Sequence, residues 1–264
     1  MTDATAHPFT ELVRGIRAVA WRHLYKWIKM PANLIPTVAF PMVFFIAFAG
    51  GLSAVRHIPG FNYAAGYTTY QYGFSLCQAS AFGGMATGFS IAADFSTGFS
   101  KRLLVTSTHR ASIVLGYMCS SLIRAVIVCS VLTTTALLAG MNVRGGFTDL
   151  ASIFGLCVLL NMTTTLWGAG VMMRTRNPQF APAMQVPIFL SVFLAPVFVP
   201  LPLLHGWLHG AASHNPMSFV LISVRGFLNN TPDHVVAAWY AAFGLWIAAL
   251  IWGFTGLRSA TRAG

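Results

Sequence analysis

The stretch that decides the fold runs from Leu150 to Met173 and reads LASIFGLCVLLNMTTTLWGAGVMM. It contains no Asp, Glu, Lys or Arg. A transmembrane helix needs about 20 mostly apolar residues. The stretch therefore predicts a helix that crosses a membrane, and the rest of the chain can be searched for similar stretches.

The composition of the whole chain agrees with a membrane protein. Of its 264 residues, 56% are hydrophobic and only 8% are charged, whereas soluble domains carry about a quarter charged residues. The 16 Lys and Arg against 5 Asp and Glu give a net charge of +11. These basic residues are few and clustered, so we expect no nucleic-acid partner. Cytoplasmic loops of membrane proteins collect Lys and Arg instead.

The charge-free windows predict an all-α membrane protein with six transmembrane helices. The predicted spans cover residues 33–54, 68–92, 112–139, 150–173, 181–202 and 235–257. Residues 203–215 contain three histidines, two glycines and an asparagine, and they are too polar and too few to cross. We expect them to form a re-entrant or interfacial hairpin.

The distribution of basic residues predicts the orientation. With six spans, most Lys and Arg fall on one side, and only Arg56, Arg144 and Arg225 fall on the other. This places both termini in the cytoplasm, with residues 258–264 as a tail. Residues 1–29 lack the pattern of a signal peptide. The four cysteines lie in apolar segments, without metal-ligand spacing, and are expected to be reduced thiols.

Residues 1–32 precede the first predicted span, and residues 11–29 within them form an amphipathic pattern. Apolar side chains and His23 recur along one helical face, and five basic side chains occupy the other. Such a helix lies in the membrane interface with its bases toward anionic headgroups. The alternative is a helix that packs on a soluble partner.

The segment that follows the second span carries a second amphipathic pattern. It begins at Asp94 and ends at Arg110, and Phe99 and Leu103 form an apolar pair beside Lys101 and Arg102. A short helix of this kind suits a groove on a soluble partner. The alternative is a basic loop that only sets topology.

Several motifs resemble the permeases of the ATP-binding cassette type-2 (ABC-2) family, above all the daunorubicin-resistance-like exporters. Asp94, Gly98, Arg102 and Arg110 match the family pattern after the second span, where Ser107 replaces the usual proline. The third span carries Arg124, and Ser121 replaces the usual acid. The C-terminal matches are Phe193–Pro200, Gly206, Trp207, Asn215, Pro216 and Arg225.

The resemblance implies a six-span permease domain over residues 33–257, similar to type V ABC exporters. It further implies that residues 1–32 form the connecting helix, about 95–106 the coupling helix and about 203–215 an extracellular re-entrant hairpin. The permease would pair with an identical or paralogous permease on two ATPase subunits in a bacterial cell membrane, among membrane lipids. The chain lacks a GxxxxGK[ST] motif, so ATP and Mg would bind to the partner ATPase and this chain would be no enzyme.

The remaining candidates lie within the spans. Arg124 is a charge well inside the third span and is a functional candidate, or else bonds to neighbouring backbone or snorkels. A possible substrate path follows one face of the second span, with Tyr70, Gln71, Phe74, Gln78 and Phe82. His205, His209 and His214 have no Cys or acid nearby, so an interfacial belt is favoured over a metal site.

Three functions stay open beside the leading one, which is export of amphipathic drugs or lipids. The first is export of a lipid-linked glycan or a lipid by an ABC permease. The second is a membrane-embedded enzyme. The third is a secondary carrier, which is disfavoured because such carriers normally need a mid-membrane carboxylate.

Overall fold

The structure, a computed structural model, describes residues 8–99 and 111–262. Within these ranges the fold consists of helices and connecting turns, without strands. The α-helices are α1 (Pro8–Lys29), α2 (Pro31–Gly51), α3 (Gly66–Ser96), α4 (Ala111–Leu138), α5 (Phe147–Thr175), α6 (Ala181–Phe193), α7 (Gly206–His214), α8 (Pro216–Asn229) and α9 (Val235–Arg262). Short 3-10 turns cover Ser53–His57, Pro178–Phe180 and Leu201–Leu203.

Three of the described helices are long and apolar enough to cross a membrane. They are α4, α5 and the Val235–Ala260 part of α9. Within α2 the stretch Thr37–Gly51 is apolar as well, and α3 is long but contains many polar residues. Large apolar side chains face outward from α2, α4 and α9, as a lipid environment requires; they include Val43, Ile46, Ile123, Val126, Val131, Phe243, Ile247 and Ile251.

Helix α3 is the centre of the bundle. It packs against α2, α4, α5, α6 and α8, and most of its residues are buried. Glycines allow α5 to approach closely, because the Cα atoms of Gly88 and Gly168 face each other across the crossing. Helix α9 covers the other side of α5, and α1 lies across α4 and α2.

The fifth predicted span differs from the structure. The prediction is 181–202, but α6 ends at Phe193, and at about 1.5 Å per residue it is only about 20 Å long. Pro196, Pro200 and Pro202 follow and cannot continue a helix. The chain passes through a non-helical loop and a 3-10 turn there.

The predicted hairpin 203–215 has the wrong limits. These residues include α7 only, and a second helix, α8, begins at Pro216. The Asn215 side chain accepts a hydrogen bond from the Met217 amide at 3.0 Å and so caps α8. Pro216 occupies the first helical position, where its missing N–H costs nothing.

The start of the predicted coupling helix, 95–106, also needs correction. Phe95 and Ser96 belong to the last turn of α3. Gly98 has a left-handed conformation (φ 72°) just beyond this turn, which is how many helices end. A coupling helix would therefore begin after Gly98, and residues 100–106 lie outside the described part of the chain.

Candidate coupling site and transport cleft

Asp94, in the last turn of α3, is the centre of a buried polar cluster. Its carboxylate is fully buried and accepts hydrogen bonds from Arg22 at 2.9 and 3.0 Å. The Nε2 atom of His23 lies 3.0 Å from it, the Tyr117 hydroxyl 3.2 Å and the Lys26 ammonium 3.5 Å. This Asp94 centre therefore joins α1, α3 and α4.

Basic neighbours offset the cost of burying the Asp94 carboxylate. Burial alone would raise the pKa of Asp94, but hydrogen bonds and charges from His23 and Arg22 outweigh burial and hold this pKa well below its usual range. Burial lowers the pKa of His23, although Asp94 opposes this shift. The buried Asp94 carboxylate is thus stabilised in its ionised form by its contacts with α1.

Arg22 also contacts the first residue after the α3 turn. Its guanidinium carbon lies 3.4 Å from the centroid of the Phe99 ring, which is a cation–π contact. Phe99 is one of the residues predicted to couple to an ATPase. The others in that segment, Lys101, Arg102, Leu103 and Arg110, lie outside the described residues. Asp94 itself is fully buried, and its contacts with Arg22 and His23 fasten α1 to the end of α3.

A cleft of about 390 Å³ lies beside the Asp94 centre, between α2, α3 and α6, with the end of α1 at one edge. Of the five residues predicted for a substrate path, Gln78 and Phe82 line this cleft. Its walls are mostly apolar and aromatic, with a few polar groups, as in many ligand sites; they include Lys26, Thr37, Phe40, Met85, Phe89, Ser90 and Gln185. Gln71 and Phe74 are buried in α3 outside this lining.

Tyr70 belongs instead to a second cluster near the other end of α3, centred on Arg225. The buried guanidinium of Arg225 donates to the carbonyl oxygens of Tyr70 (3.0 Å), Pro196 and Val197 (2.7 Å). It also lies 3.4 Å from the centroid of the Tyr70 ring. The Tyr63 hydroxyl donates to the Arg225 carbonyl at 2.7 Å. The Arg225 centre therefore fixes α8 and the loop after α6 to α3.

The remaining residues that the sequence analysis singled out near the C-terminal motifs lie on or beside α7 and α8. The Asn215 amide donates to the Ser191 carbonyl at 2.6 Å, which ties α8 to α6. Gly206 begins α7 with a left-handed backbone (φ 66°). Trp207 is 77% exposed, and His205, His209 and His214 are exposed as well. No group of three metal-ligating side chains was found among the described residues.

Arg124 bonds to a helix neighbour. It is buried in α4 and donates to the Thr87 hydroxyl of α3, whereas its Nε has no partner in the described part of the chain. Ser121, one turn earlier, donates to Asn161 of α5 at 2.9 Å. The Asn161 amide in turn donates to the Ser80 carbonyl at 3.0 Å. This polar network crosses the centre of the three-helix contact.

Sequence reasoning missed several of these partners. The helical pattern predicts Arg22 and Lys26 on the face of α1 that points toward lipid headgroups, and it gives His23, on the apolar face, no role. The usable signal was Asp94 itself, since a carboxylate at a helix end among apolar residues needs cations nearby. Asn161, a polar residue within the opening stretch, was a similar signal for the interior network.

The described helices, three of which are long and apolar enough to cross a membrane, define a helical membrane protein. The family model of the ABC-2 type transporters matches residues 14–229, and the chain belongs to this family. The match begins within α1 and ends at the last residue of α8.

Individual relatives carry transport names. A protein named as a probable doxorubicin resistance ABC transporter permease, DrrC, of Mycobacterium tuberculosis is 22% identical over 217 residues, which cover 80% of this chain and 75% of the relative. A ycf38 protein of Pyropia yezoensis, named as a transport permease, is 27% identical over 226 residues, which cover 81% and 74%.

Proposed function

We propose that the chain is the membrane subunit of an ATP-driven ABC exporter of amphipathic drugs or lipids. Two permease chains would form a dimer in a bacterial cell membrane and bind two ABC ATPase subunits. Each permease would have six spans and both termini in the cytoplasm. ATP and Mg would bind to the ATPase subunits. The family and the names of the relatives support the transport role, and the distribution of Lys and Arg supports the orientation.

One observation carries the coupling part of this proposal: Arg22 contacts both Asp94 and Phe99. The interfacial helix α1, the end of α3 and the start of the cytoplasmic segment are thereby linked at one point. An ATPase that displaces residues 99–110 would move α1 and α3 together. Because α3 and α2 line the cleft, this displacement would change the shape of the cleft.

The test reconstitutes the chain with ABC ATPases of its host, beginning with those in neighbouring reading frames. ATP hydrolysis and ATP-dependent transport of a fluorescent amphiphile are measured in proteoliposomes. We expect Asp94→Asn and Arg22→Gln to lower the transport per ATP hydrolysed. Arg17→Gln is the matched control, because Arg17 is an exposed arginine on the same helix.

Three results would count against the proposal. If no ATPase confers ATP-dependent transport on the wild-type chain, the exporter assignment fails. If Asp94→Asn and Arg22→Gln both match Arg17→Gln, the Asp94 centre has no part in coupling. Transport that follows the proton gradient and ignores ATP would indicate a secondary carrier.

A further inference from the structure

Three polar side chains on one face of α3 lack hydrogen bonds. Gln71, Ser75 and Gln78 follow the i, i+4, i+7 spacing that aligns residues along a helix. All three are at most 1% exposed, and none of their side-chain polar atoms has a partner in the described part of the chain. We name these three residues the polar stripe.

The polar stripe is costly to the fold. A buried polar group without a partner costs about 1–3 kcal/mol. Other hydroxyls on α3 avoid this cost by bonding to the preceding turn, as Thr69 does to the Ala65 carbonyl and Ser80 to the Leu76 carbonyl. Ser75 makes no such bond. A ligand that supplies the missing partners accounts for keeping all three residues polar.

The polar stripe leads into the cleft. Gln78 is its last residue and part of the cleft lining, beside Phe82. The first residue, Gln71, directly follows Tyr70 of the Arg225 centre. The stripe therefore extends from the cleft toward the far end of α3, over about 10 Å at the rise of an α-helix. The aromatic cleft walls suit an apolar body, and the amides suit a polar group.

The charges around this route are all positive. Among the described residues that line the cleft, Lys26 is the one with a charged side chain. Arg124 and Arg225 are buried nearby in the bundle. Asp94, a buried carboxylate, already has Arg22, His23, Lys26 and Tyr117 as partners and does not line the cleft. A cationic ligand would lose its hydration here without gaining a counter-charge.

We propose that the polar stripe binds the polar group of the transported molecule, and that this molecule is an amphiphile without positive charge. The proposal rests on the proposed function, because it places the ligand in the cleft of a permease. The Gln71 and Gln78 amides offer both donors and acceptors. Acid, ester, hydroxyl and amide groups on an apolar body are the chemistry they would recognise.

The test uses three probes with the same apolar body: 11-(dansylamino)undecanoic acid, its methyl ester and the trimethylammonium analogue. Binding to the full chain in lipid nanodiscs is followed by tryptophan-to-dansyl energy transfer, with empty nanodiscs as the blank. We expect the acid and the ester to bind about tenfold more tightly than the cation. Binding of the cation with equal affinity would overturn the assignment of charge.

Substitutions separate a ligand role from a structural role. Gln78→Leu and Ser75→Ala remove unpaired polar groups, so we expect unchanged or higher thermal stability and, for Gln78→Leu, about tenfold weaker binding of the acid, the loss of one to two hydrogen bonds. Gln179→Leu, at an exposed glutamine, is the control. Lower stability with unchanged binding would overturn the proposal.

This inference and the proposed function can fail separately. If the wild-type chain transports the acid with ATP and Gln78→Leu transports it equally well, the polar stripe has no part in binding although the exporter assignment holds. If the acid binds to the wild-type chain and Gln78→Leu lowers its affinity, but no ATPase drives its transport, the binding site is supported and the exporter assignment fails.

Discussion

Arg22 and Asp94 lie 72 positions apart in the chain and meet through two parallel hydrogen bonds between guanidinium and carboxylate. This bidentate geometry fixes the direction as well as the distance of the contact. It holds α1 in a single register on the bundle. His23 and Lys26 follow Arg22 on the same helix and also contact the Asp94 carboxylate.

The first prediction concerns pH. Because the pKa of His23 is lowered in the fold, the unfolded chain takes up a proton below about pH 6.5 that the folded chain does not. Stability is therefore complete above this pH and falls on acidification. The lowered pKa of Asp94 adds a second loss below about pH 4.

Thermal unfolding of the detergent-solubilised chain between pH 5 and 8 checks this prediction. We expect the midpoint to fall as the pH decreases, and His23→Gln to flatten the curve over this interval. His57→Gln, at an exposed histidine, should retain the wild-type slope. A His23→Gln curve that runs parallel to the wild type would contradict the assignment of the proton to His23.

The second prediction concerns the crossing of α3 and α5. A Cβ atom at Gly84 would overlap the Thr164 hydroxyl and the Asn161 carbonyl, and would come within 2.9 Å of the Thr165 amide nitrogen. Two of these neighbours are backbone and cannot rotate away. Gly84→Ala should therefore destabilise the bundle by about 1–3 kcal/mol or more.

The matched control for Gly84 is Gly50→Ala. Gly50 is also helical, but a Cβ atom there meets nothing within 4 Å. We expect this variant to be as stable as the wild type or slightly more stable, because alanine loses less chain entropy in a helix. Equal loss in both variants, measured by thermal unfolding, would show that helix crossing is not the cause.

The third prediction concerns the Arg225 centre. Lysine at position 225 keeps the charge but cannot reach the Tyr70, Pro196 and Val197 carbonyls together, since it lacks the planar guanidinium. We expect Arg225→Lys to lose roughly 2–3 kcal/mol of stability, from carbonyl groups left without a donor. Arg144→Lys, at an exposed arginine, should be neutral. If both variants unfold alike, the three carbonyl contacts contribute nothing measurable.

The fourth prediction concerns Arg124. Thr87→Val keeps the side-chain volume and removes the hydroxyl to which Arg124 donates. A buried guanidinium that loses an acceptor costs about 1–3 kcal/mol. Thr134→Val is the comparison, because its exposed hydroxyl bonds only to its own helix, at the Ser130 carbonyl. A stable Thr87→Val variant would indicate that Arg124 finds another acceptor, such as water.

The long apolar helices were predictable from the sequence. The third and fourth predicted spans, 112–139 and 150–173, lie within three residues of the ends of α4 and α5. The reason is physical: a helix that crosses lipid needs about 20 predominantly apolar residues, so most charges lie near or beyond its ends.

The region after α6 was not predictable by the same reasoning. A charge-free window of 48 residues, 177–224, contains α6, α7 and the first part of α8 with the loops between them, and charge alone cannot divide it. Proline positions and the Asn215-Pro216 pair carried the missing information on boundaries. The burial of α8 against α3 depends on tertiary packing that no local pattern encodes.

For the candidate site, the sequence identified Asp94 but not the helix that neutralises it. Helical periodicity placed Arg22 and Lys26 opposite the apolar face of α1. Long side chains can extend around a helix to reach a buried carboxylate, and periodicity does not register this. Gln78 and Phe82 are one turn apart and line the same cleft, whereas Tyr70 lies about two turns from Gln78 and contacts Arg225 at the opposite end of α3.

Helix α3 holds Asp94 near its last turn and Tyr70 near its first, about 36 Å apart at the rise of an α-helix, which is close to the thickness of a bilayer core. Each end is fastened to other parts of the chain, and Gly84 and Gly88 touch α5 between them. Helix α3 is therefore held at both ends, and it contacts α5 most closely near its middle. If α3 tilts as a rigid body about its crossing with α5, a displacement of the Asp94 end is accompanied by an opposite displacement at the Tyr70 end, next to the Pro196–Val197 loop.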